Sequence, residues 1–366
     1  MRGNKYAHPC ACSFAHPGNL SEVAILVDIQ TAMRRADEIS KLGLGVTAPN
    51  PIVGAVILSD SGELIGEGFH HREAGGKHAE IAALQVAGAK ANGATLVLTL
   101  EPCNHHGKTP PCTEAIIKAG IKKVVYSVSD PNPIAAGGAN RLREAGIEVE
   151  SGLLEEEVSF TNRAWLTKIK SARPYITMKV ATTLDGKVAA SDGSSKWITN
   201  EGARKSVHEL RSECDAIVTG TGTVIADDPA MTVRGVERGN FEFKPARVVM
   251  GKRAIPAGSK ILDESATTIH LESHNLSQLL ELAEEKGWNR ILVEAGPKLT
   301  SAFLKAELFD ELFLYQAPTL LGGSFDFVGD FEVRNLSERV DLNLHSTKII
   351  GDNEKNLLLH LLAVSK

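Results

Sequence analysis

The 366-residue sequence is poor in aromatic residues and has no excess of positive charge. Only 5% of its residues are Phe, Trp or Tyr, which argues against a surface on which nucleic-acid bases stack. The formal net charge is -5, whereas a protein that neutralises many duplex phosphates usually carries a basic excess. We therefore expect no nucleic-acid partner, and only a local basic pocket for a phosphorylated metabolite fits this balance.

Cysteines and long apolar runs are also scarce. No apolar run reaches the roughly 18 residues that indicate a transmembrane helix. The first 20 residues lack the charged region and apolar core of a secretory signal, so residues 1–28 are expected to form a disordered leader. An odd number of scattered cysteines indicates a reducing compartment rather than a disulfide scaffold. We therefore expect a cytoplasmic protein with no membrane partner. The five cysteines are Cys10, Cys12, Cys103, Cys112 and Cys214.

Helix and strand patterns alternate along the chain and predict an α/β fold. Apolar residues recur every three to four positions from Ile29 to Ile39, which indicates a helix. A short β-branched run at 52–58 and its partner at 63–69 form a predicted hairpin. Beyond residue 78 helices and strands alternate, so the rest of this first sheet is expected to be largely parallel.

A second α/β unit is predicted after a mixed polar helix at 155–170. Strand signal restarts at 175–180, and the same alternation then recurs up to residue 316. A chain of this length is typical of about two domains. We place the boundary at 171–173, which gives domains at 29–172 and 173–366.

A metal-binding pattern lies in the first predicted domain. His78 and Glu80 open a helix, and Cys103 and Cys112 follow near later strand-to-helix junctions. One His and two Cys supply the three protein ligands of a catalytic zinc, which keeps a fourth position for water. Glu80 lies two positions from His78, so it need not be a ligand and can shuttle a proton to or from that water. The zinc-deaminase signature is His-x-Glu followed by Pro-Cys-x-x-Cys, and the match is partial because eight residues separate the two cysteines.

These residues also allow other interpretations. Each cysteine alone could be a small core residue, but that explanation does not account for the ordered set. A rival metal-like cluster lies in the leader, where no second shell supports it; it comprises His8, Cys10, Cys12 and His16. A deaminase of nucleic-acid bases is disfavoured by the acidic balance and the long loop between the cysteines.

Four segments closely resemble the deaminase half of the bifunctional riboflavin-biosynthesis deaminase/reductase family. They are residues 48–57, 78–84, 99–112 and 129–133. The resemblance implies a cytidine-deaminase-like three-layer domain with one zinc held by His78, Cys103 and Cys112 and with Glu80 as the catalytic residue. Segments 70–77 and 134–140 differ in length from the family pattern, and either His70 or His71 could be the pocket histidine. The implied substrate pocket comprises Asn50, His105, Lys108, Asp130 and Asn132.

The second half resembles the reductase half of the same family at 173–186, 195–199, 210–234 and 293–299. No Gly-x-Gly-x-x-Gly follows a strand, so a Rossmann site has no support; the resemblance instead implies a dihydrofolate-reductase-like α/β domain that uses NADPH. Lys179 lies in the strand before the Thr-Leu-Asp-Gly turn and is the candidate catalytic residue at the reacting sugar; the alternative is a strand lysine that faces solvent. The implied NADPH side comprises Ala181, Trp197, Thr199, Thr223, Asp227, Gly296, Pro297, Lys298, Leu299 and Thr300. The implied substrate side comprises Ser195, Arg211, Met231, Arg234 and Glu294.

The two halves together predict two consecutive reactions. The first is the zinc-dependent hydrolytic deamination of 2,5-diamino-6-(5-phosphoribosylamino)pyrimidin-4(3H)-one. The second is the NADPH-dependent reduction of the ribosyl chain to give 5-amino-6-(5-phosphoribitylamino)uracil. In this interpretation Arg211 and Arg234 could fork onto a phosphate, whereas the alternative makes them surface arginines. A second half that only binds nucleotides or assembles an oligomer is the rival from another class, and we expect the enzyme itself to be a homo-oligomer.

Overall fold

The computed structural model describes residues 26–71, 76–106, 110–329, 331–353 and 355–364. Lys108 and the metal-like cluster at residues 8–16 lie outside these ranges. Residues 26–28 belong to the fold, so the predicted leader is wrong for these three positions. The Val27 amide donates to the Gly62 carbonyl over 2.9 Å, and the Asp28 carboxylate accepts from the Thr31 amide over 2.6 Å at the start of a helix.

The first half is built on a mixed five-stranded sheet with strand order β2-β1-β3-β4-β5. β1 pairs antiparallel with both β2 and β3, and the pairs β3–β4 and β4–β5 are parallel, as the sequence predicts. Every residue of β1 is buried, which fits its continuous apolar run. The strands are β1 (Gly54–Leu58), β2 (Leu64–Phe69), β3 (Thr95–Leu100), β4 (Lys123–Val128) and β5 (Glu148–Ser151).

Helices cover both faces of this sheet and give three layers. Ala55 and Ile57 of β1 pack with the first group of helices, and Val56 and Leu58 pack with the second, because neighbouring strand residues face opposite sides. The first group comprises α2 (Ala79–Ala87), α3 (Cys112–Lys118) and α4 (Gly138–Glu144). The second group comprises α1 (Ile29–Ser40), α5 (Glu155–Thr161) and α6 (Arg163–Ser171).

The single helix predicted at 155–170 is wrong, because the chain forms α5 and α6 with a break at Asn162. Asn162 has φ -96° and ψ 16°, outside the helical range. Its side-chain amide donates to the Ile52 carbonyl over 3.2 Å. A short polar side chain with such a partner competes with the helical backbone bonds.

The second half is built on an eight-stranded sheet with strand order β12-β13-β11-β6-β10-β7-β8-β9. The pairs from β9 to β11 are parallel, and β13 and β12 add an antiparallel hairpin at one edge. Its strands are β6 (Tyr175–Thr183), β7 (Ala216–Gly220), β8 (Ala246–Met250), β9 (Thr268–Leu271), β10 (Arg290–Val293), β11 (Glu311–Ala317), β12 (Leu342–Ile350) and β13 (Asn356–Ala363).

The largest core of the second half lies where β6, β10 and β7 pack against apolar helix faces. The sequence analysis did not assign the helix at 201–212, although Asn200 caps it by accepting the Ala203 amide over 2.8 Å. In the described part of the chain, no helix is both long and apolar enough to cross a membrane. The helices are α7 (Glu201–Ser212), α8 (Thr221–Asp227), α9 (Leu276–Lys286) and α10 (Pro297–Lys305).

A buried charge cluster joins the two sheet units at Glu311, whose side chain is fully buried on β11. Arg163 of α6 reaches it from the first half over 2.8 Å, and Arg290 of β10 reaches it over 2.5 Å. His360, Thr177 and Tyr175 complete the shell at 2.9 Å, 2.6 Å and 3.3 Å. These contacts satisfy a carboxylate that would otherwise be costly to bury.

Candidate active sites

His78, Cys103 and Cys112 converge where β3, α2 and α3 meet. His78 is the N-cap of α2, and Cys112 is the first residue of α3. His78 Nδ1 lies 3.1 Å from Cys112 Sγ and 3.6 Å from Cys103 Sγ, and the three ligand atoms all lie within 4.8 Å of one another. Zinc bonds of about 2.0 Å to nitrogen and 2.3 Å to sulfur require ligand atoms about 3.5–4 Å apart in a tetrahedron. The donor set fits a zinc ion, and the contacts of 3.1 Å and 3.6 Å lie near the spacing that zinc requires.

Glu80 lies in the first turn of α2 and is only 4% exposed. Burial raises the pKa of its carboxyl, and the nearby His78 opposes that shift. Hydrogen bonding with Cys112 lowers the pKa of the Cys103 thiol against the effect of burial, while the same contact and burial raise the pKa of Cys112. A thiolate beside a buried carboxyl of raised pKa is the pairing expected of a metal ligand next to a proton carrier.

The structure distinguishes His70 from His71, either of which could be the pocket histidine from the sequence alone. His70 is buried and its ring meets that of His78 edge to face at 5.3 Å. His70 Nδ1 lies 3.0 Å from the Lys77 carbonyl, so it donates there and leaves Nε2 to accept from Asn50 Nδ2 at 3.2 Å. His71 instead packs against Phe241 of the second half, at a ring distance of 6.1 Å. His70 is therefore the histidine beside the metal ligands.

Asp130 and Asn132 lie in the turn after β4 and shape it through their own side chains. The Asp130 carboxylate accepts the Asn132 amide over 2.8 Å, and Asn132 Oδ1 accepts the Ile134 amide over 3.2 Å. Burial raises the pKa of Asp130. His105 Nδ1 is buried without a hydrogen-bond partner among the described residues.

Glu101 is a supporting residue that the sequence analysis missed. Its carboxylate accepts the Asp130 amide over 3.3 Å and the Ala139 amide over 3.0 Å, and the residue is 8% exposed. It therefore ties the loop after β4 to the strand end that leads to Cys103. Its place directly before Pro-Cys was the available signal.

The second site centres on Glu294, which follows β10 and is 5% exposed. Its carboxylate accepts from Arg211 Nε over 2.5 Å and from Arg211 Nη2 over 2.9 Å, and Lys179 Nζ lies 3.0 Å from Oε2. Burial alone would raise the pKa of Glu294, but Arg211 and Lys179 outweigh it and lower the pKa to about 2. The three predicted residues thus form one buried charge cluster.

Arg211 does not present a free fork to a phosphate in this arrangement, because Glu294 occupies it. Arg211 Nη1 also donates to the Thr232 carbonyl over 3.0 Å, and Nη2 lies 3.7 Å from Met231 Sδ. Arg234 is exposed and has no acidic partner among the described residues.

His208 is a second residue that the sequence analysis missed. It lies on α7 three positions before Arg211, so both side chains share one helix face. His208 Nδ1 lies 3.0 Å from the Thr232 carbonyl, to which it donates, and 3.2 Å from the Arg234 amide nitrogen, and Arg234 Nη2 lies 3.4 Å from Nε2. Beside them is a cavity of about 210 Å³, lined by residues 231–236, 241–245, 265 and 266. Met231 and Arg234 are the two predicted substrate residues that line it.

The residues predicted for the NADPH side lie around the carboxyl ends of β7 and β10. Thr223 Oγ1 accepts the Gly296 amide over 3.2 Å and so joins the starts of α8 and α10. Gly296 is the N-cap of α10 and has no side-chain cap bond, which leaves the helix start open to an anion. Pro297 has no amide hydrogen and the Gly296 amide already binds Thr223, so the amides of Lys298 and Leu299 are the donors that this helix start offers to a dinucleotide phosphate. The helix start comprises Gly296, Pro297, Lys298, Leu299 and Thr300.

The remaining predicted residues of this side extend along one loop and one strand. Ser195 donates to Asp227 Oδ1 over 3.1 Å, so a substrate candidate and a cofactor candidate are in contact. Trp197 is 71% exposed, and the Arg204 guanidinium lies 4.7 Å from its ring centre. The Thr199 carbonyl accepts from Arg204 over 2.7 Å. Ala181 lies on β6, two positions after Lys179.

The fold and the two sites define a two-domain enzyme, a zinc-dependent deaminase followed by a reductase. Two family models match the chain, the cytidine and deoxycytidylate deaminase zinc-binding region over 27–128 and the RibD C-terminal domain over 174–355. The chain is 44% identical to the riboflavin biosynthesis protein RibD of Mycobacterium tuberculosis (strain ATCC 25618 / H37Rv), over 92% of this chain and 97% of that protein. It is 40% identical to the Escherichia coli (strain K12) protein of the same name, over 90% of this chain and 98% of that one. The chain belongs to the RibD family, the bifunctional deaminase/reductases of riboflavin biosynthesis.

Solved structures agree with this assignment. Acinetobacter baumannii RibD (form 1) superimposes with a TM-score of 0.83 at 40% identity, over 92% of this chain and 99% of that chain. A diaminohydroxyphosphoribosylaminopyrimidine deaminase/5-amino-6-(5-phosphoribosylamino)uracil reductase from Thermotoga maritima gives a TM-score of 0.83 at 35% identity, with the same coverage. The predicted fold class is confirmed, with a cytidine-deaminase-like domain followed by a dihydrofolate-reductase-like domain. Zinc and NADPH are the cofactors of these two domains.

Proposed function

We propose that the first site deaminates 2,5-diamino-6-(5-phosphoribosylamino)pyrimidin-4(3H)-one and that Glu80 is its proton carrier. The observation that carries this proposal is the convergence of His78, Cys103 and Cys112 beside a buried Glu80. Zinc, when bound, supplies Lewis-acid activation of the attacking water. Glu80 then takes a proton from water and returns it to the pyrimidine, so that the amino group leaves as ammonia.

Asn50 is proposed to recognise the pyrimidine. Its Nδ2 donates to His70 Nε2 over 3.2 Å, so its Oδ1 is left to accept an N–H from the substrate. Asp130, Asn132 and His105 belong to the same pocket, and the unpartnered His105 Nδ1 supports a ligand there. Lys108, which lies outside the described residues, suits the ribose phosphate as a point charge.

The second site is proposed to reduce the ribosyl chain to 5-amino-6-(5-phosphoribitylamino)uracil. NADPH, when bound, supplies the hydride that the anomeric carbon accepts. Lys179 donates the proton that the ribose ring oxygen gains when its bond to that carbon breaks. The 3.0 Å contact with buried Glu294 supports this role, because it holds the ammonium in place. Arg234, which has no acidic partner among the described residues, is proposed to bind the substrate phosphate.

The domain limits remain a prediction at 29–172 and 173–366, with residues 26–28 joined to the first domain. A homo-oligomer is also proposed. Edge strand β12 is exposed along most of its length, and its Leu344 and Ile349 are 60% and 66% exposed, as expected of a face that a second copy covers. A cytoplasmic location fits the free thiols of the described cysteines, which are Cys103, Cys112 and Cys214.

One experiment tests the two activities together. The purified full chain is incubated with the diaminopyrimidine, with and without NADPH, and the masses of the products are measured by mass spectrometry. Without NADPH we expect the exchange of an amino group for oxygen, and with NADPH a further gain of two hydrogens. A mass gain from NADPH in the absence of deamination would contradict the proposed order. Light scattering of the same sample, compared with Leu344→Arg, tests the oligomer.

A further inference from the structure

Asn50 is held from outside its own domain, at a loop that the second half clamps from two sides. The loop runs from Leu44 to Asn50 and turns where the Asn50 amide donates to the Thr47 carbonyl over 3.0 Å. Asn50 is itself exposed, so apart from its bond to His70 its side chain has little packing to fix it. Its position depends on what holds the loop.

One clamp is Asn289, which is 8% exposed at the start of β10. Its Nδ2 donates to the Asn50 carbonyl over 3.1 Å, a contact between residues 239 positions apart. The Asn289 backbone is itself fixed, because its amide donates to Asp215 over 2.7 Å and its carbonyl accepts the Tyr175 amide over 2.8 Å. A donor anchored in this way is a rigid support for the loop.

The other clamp is Arg238. Its Nη2 donates to the Leu44 carbonyl over 2.6 Å and to the Ser212 carbonyl over 2.7 Å, so it joins the loop to the end of α7. Its guanidinium lies 4.5 Å from the Phe243 ring centre. The loop also packs closely against the end of α7 at Gly45. Its φ is +73°, and an added Cβ would lie 2.2 Å from the Ser212 carbonyl oxygen.

We propose that Asn289 and Arg238 of the reductase half are positioning residues for the deaminase pocket, which act by holding the loop that carries Asn50. Asn50 is fixed at two points, its carbonyl on Asn289 and its amide group on His70. His70 in turn packs on the metal ligand His78. The deaminase pocket therefore takes part of its shape from the reductase domain. The inference rests on the proposed role of Asn50.

The test measures deaminase kinetics in the full chain for Asn289→Ala, with Asn275→Ala as the matched control. Asn275 caps α9 in the same domain through a 2.9 Å bond to the Ser277 amide, so its loss lowers stability without touching the loop. Asn289→Ala is expected to raise KM for the pyrimidine about fivefold, with zinc content and KM for NADPH unchanged. Arg238→Gln is the second variant, and it should change KM in the same direction.

A double-mutant cycle separates this inference from the role of Asn50. If Asn289 acts through Asn50, then adding Asn289→Ala to Asn50→Ala should change KM less than about twofold. The inference would be overturned if Asn289→Ala had the same KM as the control Asn275→Ala while Asn50→Ala alone raised KM. The role of Asn50 would then remain intact. An unchanged KM in Asn50→Ala would overturn both, because Asn289 would then have nothing to act through.

Discussion

Arg211 donates two parallel hydrogen bonds to the Glu294 carboxylate, from Nε at 2.5 Å and from Nη2 at 2.9 Å. Lys179 shares the same carboxylate at 3.0 Å. Removal of one partner from a buried ion pair leaves an uncompensated charge, which is strongly destabilising. Glu294 is therefore expected to hold both side chains in place, because loss of its carboxylate would leave two buried cations without their partner.

The first prediction concerns Glu294 and pH. The folded pKa of about 2 lies below the ordinary value of 4.5, so the ionised pair stabilises the fold above pH 4.5 and this contribution is lost as the pH falls towards 2. Glu294→Gln should lower the free energy of unfolding by about 3–5 kcal/mol at neutral pH. In urea titrations, the difference between wild type and variant should shrink below pH 4.5. If the difference in free energy of unfolding did not change with pH, the prediction would be contradicted. Glu285→Gln, at an exposed site, is the control.

The second prediction concerns Arg234, which is exposed beside His208. Arg234→Lys should raise KM for the pyrimidine about tenfold or more and leave KM for NADPH unchanged, because lysine loses the bidentate geometry. Steady-state kinetics of both half-reactions measure this, and deamination should be unaffected. An equal rise in KM for both ligands would return Arg234 to the role of a surface arginine.

The zinc site could be predicted from the sequence because His, Cys and Glu are residue types with characteristic metal-binding and proton-transfer chemistry. His78, Glu80 and the two cysteines combine ligand types with junctions that the helix and strand patterns already locate. Lys179 and Glu294 were found as separate candidates through the resemblance, but their contact was not. It depends on β6 lying beside β10, a pairing of distant segments that local patterns do not specify.

The clamp on the Asn50 loop was missed for the same reason. Asn289 carries no motif and precedes an ordinary buried strand, so nothing local marks it. The missed break at Asn162 had a weaker but visible signal, since asparagine favours bonds outside the helix. Arg211 was expected to bind phosphate, and the buried Glu294 that occupies it could be identified only in three dimensions.

The third prediction separates the ligands of the deaminase site from its proton carrier. Glu80→Gln should keep about one zinc per chain and lower the deamination rate by about 10²-fold to 10⁴-fold, since only proton transfer is removed. Metal analysis and product formation on the same sample measure both effects. Loss of zinc in this variant would show that Glu80 is a ligand.

The fourth prediction concerns the cluster that joins the two domains at Glu311. Arg163→Ala removes a 2.8 Å partner from a fully buried carboxylate and should lower the free energy of unfolding by about 2–3 kcal/mol. Arg290 and His360 remain on Glu311, which keeps the loss below that of a lone buried pair. Arg34→Ala is the matched control, because its 3.7 Å contact with Glu157 joins two half-exposed side chains and should be worth less than about 1 kcal/mol. Urea unfolding of both variants, followed separately by deaminase and reductase activity, measures the effect. Equal losses for the two arginines would mean that the buried contact does not hold the domains together.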